Sequence, residues 1–283
     1  MGKRRQDLVA QGKLDDPDRT GLFTTAVVAL TGQGQRIALF FTGRKHAGEN
    51  LAGVLSHRDE GLDPPIQMSD ALPANNPEGA RVISSHCLAH ARRNFVDEIA
   101  NFPEECRYVL ERIGEVFAVD ERCRLQGLSD EQRLDEHQRR SGPVMDQLRA
   151  WMSAQFEEKR VEPNSGLGKA FQYMLKRWDS FTLFLRLTGV PLDNNICERA
   201  LKMAIRHRKN SLFYRTEHGA EVGDLYMSLI HTAQLCGENA FEYLTALLTH
   251  AREVAQAPQN WMPWNWREAA GRLGGKATDR QAA

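Results

Sequence analysis

The chain has 283 residues, enough to bury a substantial core as one large domain or two modest ones, with 41% hydrophobic and 26% charged residues as in ordinary globular chains. No apolar run approaches membrane-spanning length, the longest being the strand-like stretch from Leu22 to Leu30, and five scattered cysteines without a CxxC pair argue against a disulfide framework or a four-cysteine zinc site. Lys and Arg number 37, as do Asp and Glu, so net charge does not advertise nucleic-acid binding and any phosphate-binding face must come from local clustering.

The first 20 residues read as an irregular, charged lead-in with no apolar signal segment, so a cytoplasmic location is expected. Residues 21–30 are rich in β-branched and aromatic side chains and end at Gly32-Gln33-Gly34. A second apolar run, Arg36 to Thr42, follows at once, which predicts a β-hairpin. Residues 47–58 are predicted helical, with Leu51, Val54 and Leu55 at helical spacing. Pro64-Pro65 forces an extended chain into a short strand from Ile66 that ends on Asp70. Arg81 to Ser85 reads as another strand, leading into a helix from about Leu88 to Asn101 that Pro103 closes. Residues 21–103 thus form an α/β layer.

From Glu104 to about Arg186 the pattern changes to long helices. Ser129-Asp130-Glu131-Gln132 is a capping-box signature, and Gly142-Pro143 interrupts or restarts the helix after it. Val144, Leu148, Trp151 and Met152 carry one apolar stripe, and another runs in a single predicted helix from Leu167 through Phe171, Met174, Trp178 and Phe181 to Leu185. Residues 104–188 are therefore read as a helical insertion, 189–256 as a second helical part with a loop near Asn210 to Gly219, and 257–283 as a Trp- and Pro-rich tail that either packs back or stays exposed.

Several residues stand out chemically. Asp70 ends a buried strand, where sheet proteins place ligands, although an Asp there also caps the following turn. Glu198 follows Asp193-Asn194-Asn195, a natural helix start, and reads either as a ligand or as a helix-terminal acid paired with Lys202. Cys87 and His90 have CxxH spacing at a strand-to-helix junction, and two ligands alone support zinc only weakly. From Arg199 to Arg215 the charged residues are all basic: Arg199, Lys202, Arg206, Arg208, Lys209 and Arg215. Arg92 and Arg93 form a second basic pair. Two carboxylates at one sheet edge could hold a pair of divalent cations for phosphoryl transfer, with the basic run gripping the DNA backbone.

The stretches Ile66 to Leu72, Cys87-Leu88-Ala89-His90-Ala91-Arg92-Arg93-Asn94-Phe95, Pro191 to Lys202 and His207 to Phe213 together resemble the insertion sequence 66 family of DDE transposases. So do Arg36 to Gly43 and Trp261-Met262-Pro263-Trp264-Asn265, and the similarity runs from about residue 20 to 270. The resemblance implies a ribonuclease H-like core with a large helical insertion before the helix that bears the third acid. It also implies Mg2+- or Mn2+-dependent DNA cleavage and strand transfer, as a homo-oligomer or with partner transposase subunits, at a bacterial nucleoid. Asp70 maps to the second acid and Glu198 to the third, with Cys87, His90, Asn194 and Asn195 beside the site. The family's first acid lies on a strand ahead of the hairpin. Upstream of Gly21 this chain offers only Asp7, Asp15, Asp16 and Asp18, in a loop-like segment that does not match that motif. The expectation is a core lacking its first strand, inactive alone. Its alternative role is a non-catalytic DNA binder that modulates intact transposase.

Overall fold

In the computed structural model, which describes residues 23–211, 214 and 216–281, with side chains as far as Leu273, the chain forms two compact units. One holds the residues up to Gly53 together with Asn195 onward, and the other is Val54–Asn194. The four upstream aspartates, Gly21 and Leu22 of the first predicted strand, and Leu212, Phe213 and Arg215 lie outside the described residues. The elements in order are β1 (Phe23–Leu30), β2 (Arg36–Gly43), α1 (Ala47–Leu55), β3 (Ile66–Ser69), β4 (Ile83–His86), α2 (Leu88–Glu98), α3 (Pro103–Leu125) and α4 (Asp130–Glu136). Then come α5 (Gly142–Glu157), α6 (Gly166–Leu175), α7 (Trp178–Phe181), α8 (Asn195–Asn210), α9 (Glu217–Leu235), α10 (Ala240–Thr249), α11 (Ala251–Gln256) and α12 (Trp266–Gln281).

In the first unit the predicted hairpin forms, with β1 and β2 antiparallel from Phe23↔Gly43 to Leu30↔Arg36. Thr31 and Gln35 close the turn through Thr31 N to Gln35 O at 2.9 Å, and Gly34 takes a φ of 81°, a left-handed conformation that glycine adopts without steric cost. Ala38 and Phe40 are buried against Ala200 and Ala204 of α8 and Met227 of α9. The outer edge of β2 is covered by side chains of α9. Ala38 N and Phe40 N donate to Thr232 Oγ1 and Ser228 Oγ, each at 3.0 Å, and Thr42 N donates to Asp224 Oδ2. The three acceptors recur every fourth residue, so they share one helix face and match alternate amides of the strand. An uncovered edge would leave those donors as a template for another chain. The Trp-rich tail packs back: Trp261 and Trp266 are buried with Tyr243 and Ala233, and Tyr243 Oη donates to Trp261 O at 2.9 Å.

In the second unit β3 and β4 run parallel from Ile66↔Ile83 to Ser69↔His86. Leu88, Ala91 and Phe95 of α2 pack on Cys106, Val109, Ile113 and Val116 of α3, with Met145, Leu148 and Met152 of α5 and Leu167, Phe171 and Met174 of α6 closing the core. The apolar spacing of each stripe is three or four residues, as a buried helical face requires.

Two predicted helices differ from the structure. The capping box forms as read, Gln132 N donating to Ser129 Oγ at 3.3 Å and Ser129 N to Gln132 Oε1 at 2.9 Å. At Gly142-Pro143, however, the chain does not break. It passes through a π-helical turn, His137–Ser141, in which Gly142 N bonds to His137 O. That wider turn absorbs the residue whose amide proline lacks. Conversely, the single helix predicted from Leu167 to Leu185 is divided into α6, α7 and a 3-10 turn at Leu183–Leu185. Trp178, Phe181 and Phe184 are all buried at a spacing of three, which suits the tighter winding, and Thr182 Oγ1 draws on Trp178 O at 2.8 Å.

The π-turn points His137 and Ser141 inward. His137 Nδ1 meets Ser141 Oγ at 2.9 Å and Nε2 meets Asp120 Oδ1 at 3.1 Å, while Arg133 Nε donates to the same oxygen at 2.6 Å. Burial pushes the Asp120 carboxyl up, but the bond from His137 and the charge and bond of Arg133 outweigh it, leaving it below its ordinary value. A depressed carboxyl stabilises the fold above its unfolded pKa of about 3.9 and loses that contribution as pH falls through the folded value. Asp120→Asn is therefore expected to lower stability by about 1–3 kcal/mol at neutral pH. The deficit should shrink in acid, as measured by urea unfolding across that range.

Among the described residues no helix is long and apolar enough to cross a membrane.

Candidate nucleic-acid and metal site

Asp70 follows β3 directly, one residue beyond the Ser69↔His86 pair. Its Oδ1 accepts Leu72 N at 3.2 Å and the Asn75 side-chain amide, so it caps the next turn as turn chemistry predicts. Oδ2 takes no hydrogen bond from any described residue. Ala71 sits at φ 66°, a left-handed conformation costly for a residue with a Cβ and held here by its surroundings. One of those restraints is distant in sequence: Tyr173 Oη donates to Asp70 O at 3.0 Å.

The other strand leads into the Cys87–His90 motif. Cys87 is fully buried ahead of α2, and burial raises its thiol pKa although the amides of Asn194, His90 and Ala89 pull against it. Leu88 N donates to Leu192 O at 2.9 Å, so the segment carrying Asp193 and Asn194 lies along the start of α2. Asn194 Oδ1 and His86 Nδ1 are buried without a hydrogen-bond partner. The His86 pKa is lowered by burial first and by the Arg177 charge next, with Asp70 acting the other way. Arg92 and Arg93 are exposed on the face of α2 away from Leu88, Ala91 and Phe95, and His90 is half-buried. The second unit thus gathers Asp70, His86, Cys87 and Asn194, residues from three of the motifs.

Asn195 and Glu198 belong to the first unit. Asn195 begins α8, and Glu198 is half-buried in its first turn. Ala200 and Ala204 face the hairpin, and Cys197 Sγ donates to Ala26 O at 3.0 Å, its pKa raised to about 11 by burial. Arg199, Lys202, Arg206 and Lys209 are exposed. Their spacing of three, four and three residues puts them in one stripe along the helix. Arg208 is turned the other way and donates to Thr24 Oγ1 at 2.8 Å.

Asp224 was not legible as a functional residue, yet it ties this helix pair together. Its Oδ1 accepts Thr42 Oγ1 at 2.8 Å, and Thr42 Oγ1 stands 3.3 Å from Thr24 Oγ1, the group that Arg208 also reaches. The signal for it is the spacing of four between Asp224, Ser228 and Thr232, which puts three polar side chains on one face of α9. Burial raises the Asp224 carboxyl pKa against the bonds from Thr42 and the Arg208 charge. A raised carboxyl contributes stability below its ordinary range and loses it as pH rises through the folded value. Asp224→Ala should cost about 1–3 kcal/mol in unfolding free energy. Asp224→Asn keeps an acceptor for Thr42 N and should cost less, its stability improving relative to the wild type from acid to neutral pH.

Each unit supplies one of the two expected acids. Among the described residues no group of three or more His, Cys, Asp or Glu side chains is placed to hold a metal ion.

No solved structure matches the chain. It is 33% identical over 186 residues to the uncharacterized protein y4jD of Sinorhizobium fredii, covering 64% of this chain and 35% of that protein. It is 30% identical over 249 residues to the uncharacterized protein y4hP of the same organism, covering 80% of this chain and 42% of the other. The chain thus spans less than half the length of these curated relatives. The model of the Transposase IS66 family matches residues 25–222, from the hairpin through α8 and into α9. By that match the chain belongs to the IS66 family of transposases.

Proposed function

We propose that the chain acts on DNA as the core of an insertion-element transposase, with Asp70 and Glu198 as its acidic residues. The observation that carries this reading is the exposed stripe of Arg199, Lys202, Arg206 and Lys209 on α8, within the family-matched segment and on the helix that bears Glu198. Such a stripe suits phosphates along a duplex and provides affinity without sequence choice. The order of elements supports a ribonuclease H-like core: an antiparallel hairpin, a parallel pair, a helix, the helical block and then the acid-bearing helix. Mg2+ or Mn2+ is the fitting ion, because hard carboxylate oxygens suit it and it retains sites for water and phosphate. Other transposase subunits are the expected protein partners, and the nucleoid is the expected location.

The test is divalent-dependent cleavage of a duplex carrying the element end. Cleavage lost in Asp70→Asn and Glu198→Gln, with binding retained, supports the catalytic reading. A second reading, a DNA binder without chemistry, rests on the same exposed basic stripe of α8. It predicts salt-dependent binding with no cleavage. A wild-type protein that binds no DNA overturns both.

A further inference from the structure

The helical block reaches the end of the Asp70 strand through two side chains that no motif marks. Tyr173, on α6, donates from Oη to Asp70 O at 3.0 Å. One turn later the Arg177 guanidinium lies over the Tyr173 ring, 4.9 Å from its centroid, with one of its nitrogens donating to Tyr173 O at 3.4 Å. Arg177 is half-buried, and no carboxylate pairs with it among the described residues. With no carboxylate bonded to it, the partly exposed guanidinium keeps donors for an anion that arrives from outside. The aromatic platform fixes the plane of the guanidinium, and the nitrogens turned away from Tyr173 O leave a planar fork suited to two oxygens of one phosphate. Arg177 and Asp70 both act on His86, whose buried Nδ1 lacks a partner, so the three groups share one locality at the strand ends.

We propose that Tyr173 and Arg177 form a phosphate-contact subsite beside Asp70, in which Arg177 grips a backbone phosphate of DNA and Tyr173 aligns both the arginine and the Asp70 turn. This deepens the transposase reading and rests on it. The helical block then contributes directly to substrate placement at the acid, beyond its role as a core. Tyr173 is a positioning residue, and Arg177 is the group that touches substrate.

The experiment uses the full chain and a labelled DNA duplex, with affinity followed by fluorescence anisotropy over a range of salt concentrations. Arg177→Gln is expected to weaken binding roughly tenfold and to make the log–log salt slope shallower by about 0.9. Arg177→Lys should keep most of the slope but lose part of the affinity, because a point charge replaces the fork. Tyr173→Phe retains the ring and should leave the slope unchanged. In unmodified protein, DNA should protect Arg177 from an arginine-selective dicarbonyl reagent read by mass spectrometry, a measurement that needs no variant to fold. Undiminished labelling of Arg177 on duplex that is demonstrably bound, or wild-type affinity and slope in Arg177→Gln, would overturn the subsite while leaving DNA binding by α8 intact. Absence of any DNA binding by the wild type would instead overturn the transposase reading, and the subsite with it.

Discussion

Phe171→Ala is expected to lower unfolding free energy by about 3–5 kcal/mol, the largest stability effect of any single substitution considered for this chain. Phe171 is fully buried at the junction of three helices, with ring centroids 5.9 Å from Phe95, 5.6 Å from Trp151 and 5.8 Å from Phe156. Those neighbours come from α2 and α5, so truncation opens a void that no single helix can close by shifting. Trp151 sits beside that void, and unfolding is followed by urea titration with far-ultraviolet circular dichroism. The control is Phe241→Ala, whose side chain is 80% exposed and whose loss should fall within about 0.5 kcal/mol. A Phe171→Ala cost below about 1 kcal/mol would mean that the surrounding rings collapse into the space.

Replacing Arg199, Lys202, Arg206 and Lys209 together by Gln is expected to produce the largest functional effect. If each meets one phosphate, the log–log salt slope of duplex binding should become shallower by about 3–4, and affinity should fall on the order of a hundredfold or more at low salt. The helix should survive, because all four side chains are exposed and Gln is a competent helix former. Arg208→Gln provides the contrast. Its guanidinium is directed at Thr24 Oγ1 and lies near Asp224, so its loss should appear as reduced stability, with the salt slope preserved. Equal losses of slope from Arg208→Gln and from a single replacement within the stripe would sink the distinction. Unchanged binding in the fourfold variant would remove α8 as the DNA-facing element.

Much of the local structure was legible from the chain alone. The β-branched runs flanking Gly32-Gln33-Gly34 specify the hairpin, Pro64-Pro65 precedes the strand that leads to Asp70, and Ser129 with Gln132 marks the start of α4. Each of these signals involves residues a few positions apart, within reach of a turn, a cap or a helical repeat. The motif blocks around Asp70, Cys87 and Glu198 were equally plain as patterns, and the family match covers all three. Helix continuity was less legible. An apolar stripe at three-residue spacing from Trp178 to Phe184 fits α and 3-10 winding alike, and the hydroxyl of Thr182 on Trp178 O accompanies the change.

The tertiary structure alone decided which polar groups meet. Asp224, Ser228 and Thr232 cover β2 from the far end of the sequence, Tyr173 holds the carbonyl of Asp70, and Arg208 turns inward while its basic neighbours face out. The reason is that periodicity assigns a residue to a face but does not name the neighbour of that face. Whether a charge is turned onto a part-buried hydroxyl or left in solvent depends on which backbone and side-chain groups packing leaves without partners. The sequence by itself therefore determined the family, the local elements and the candidate acids, whereas packing determined which basic side chains serve the fold and which stay exposed.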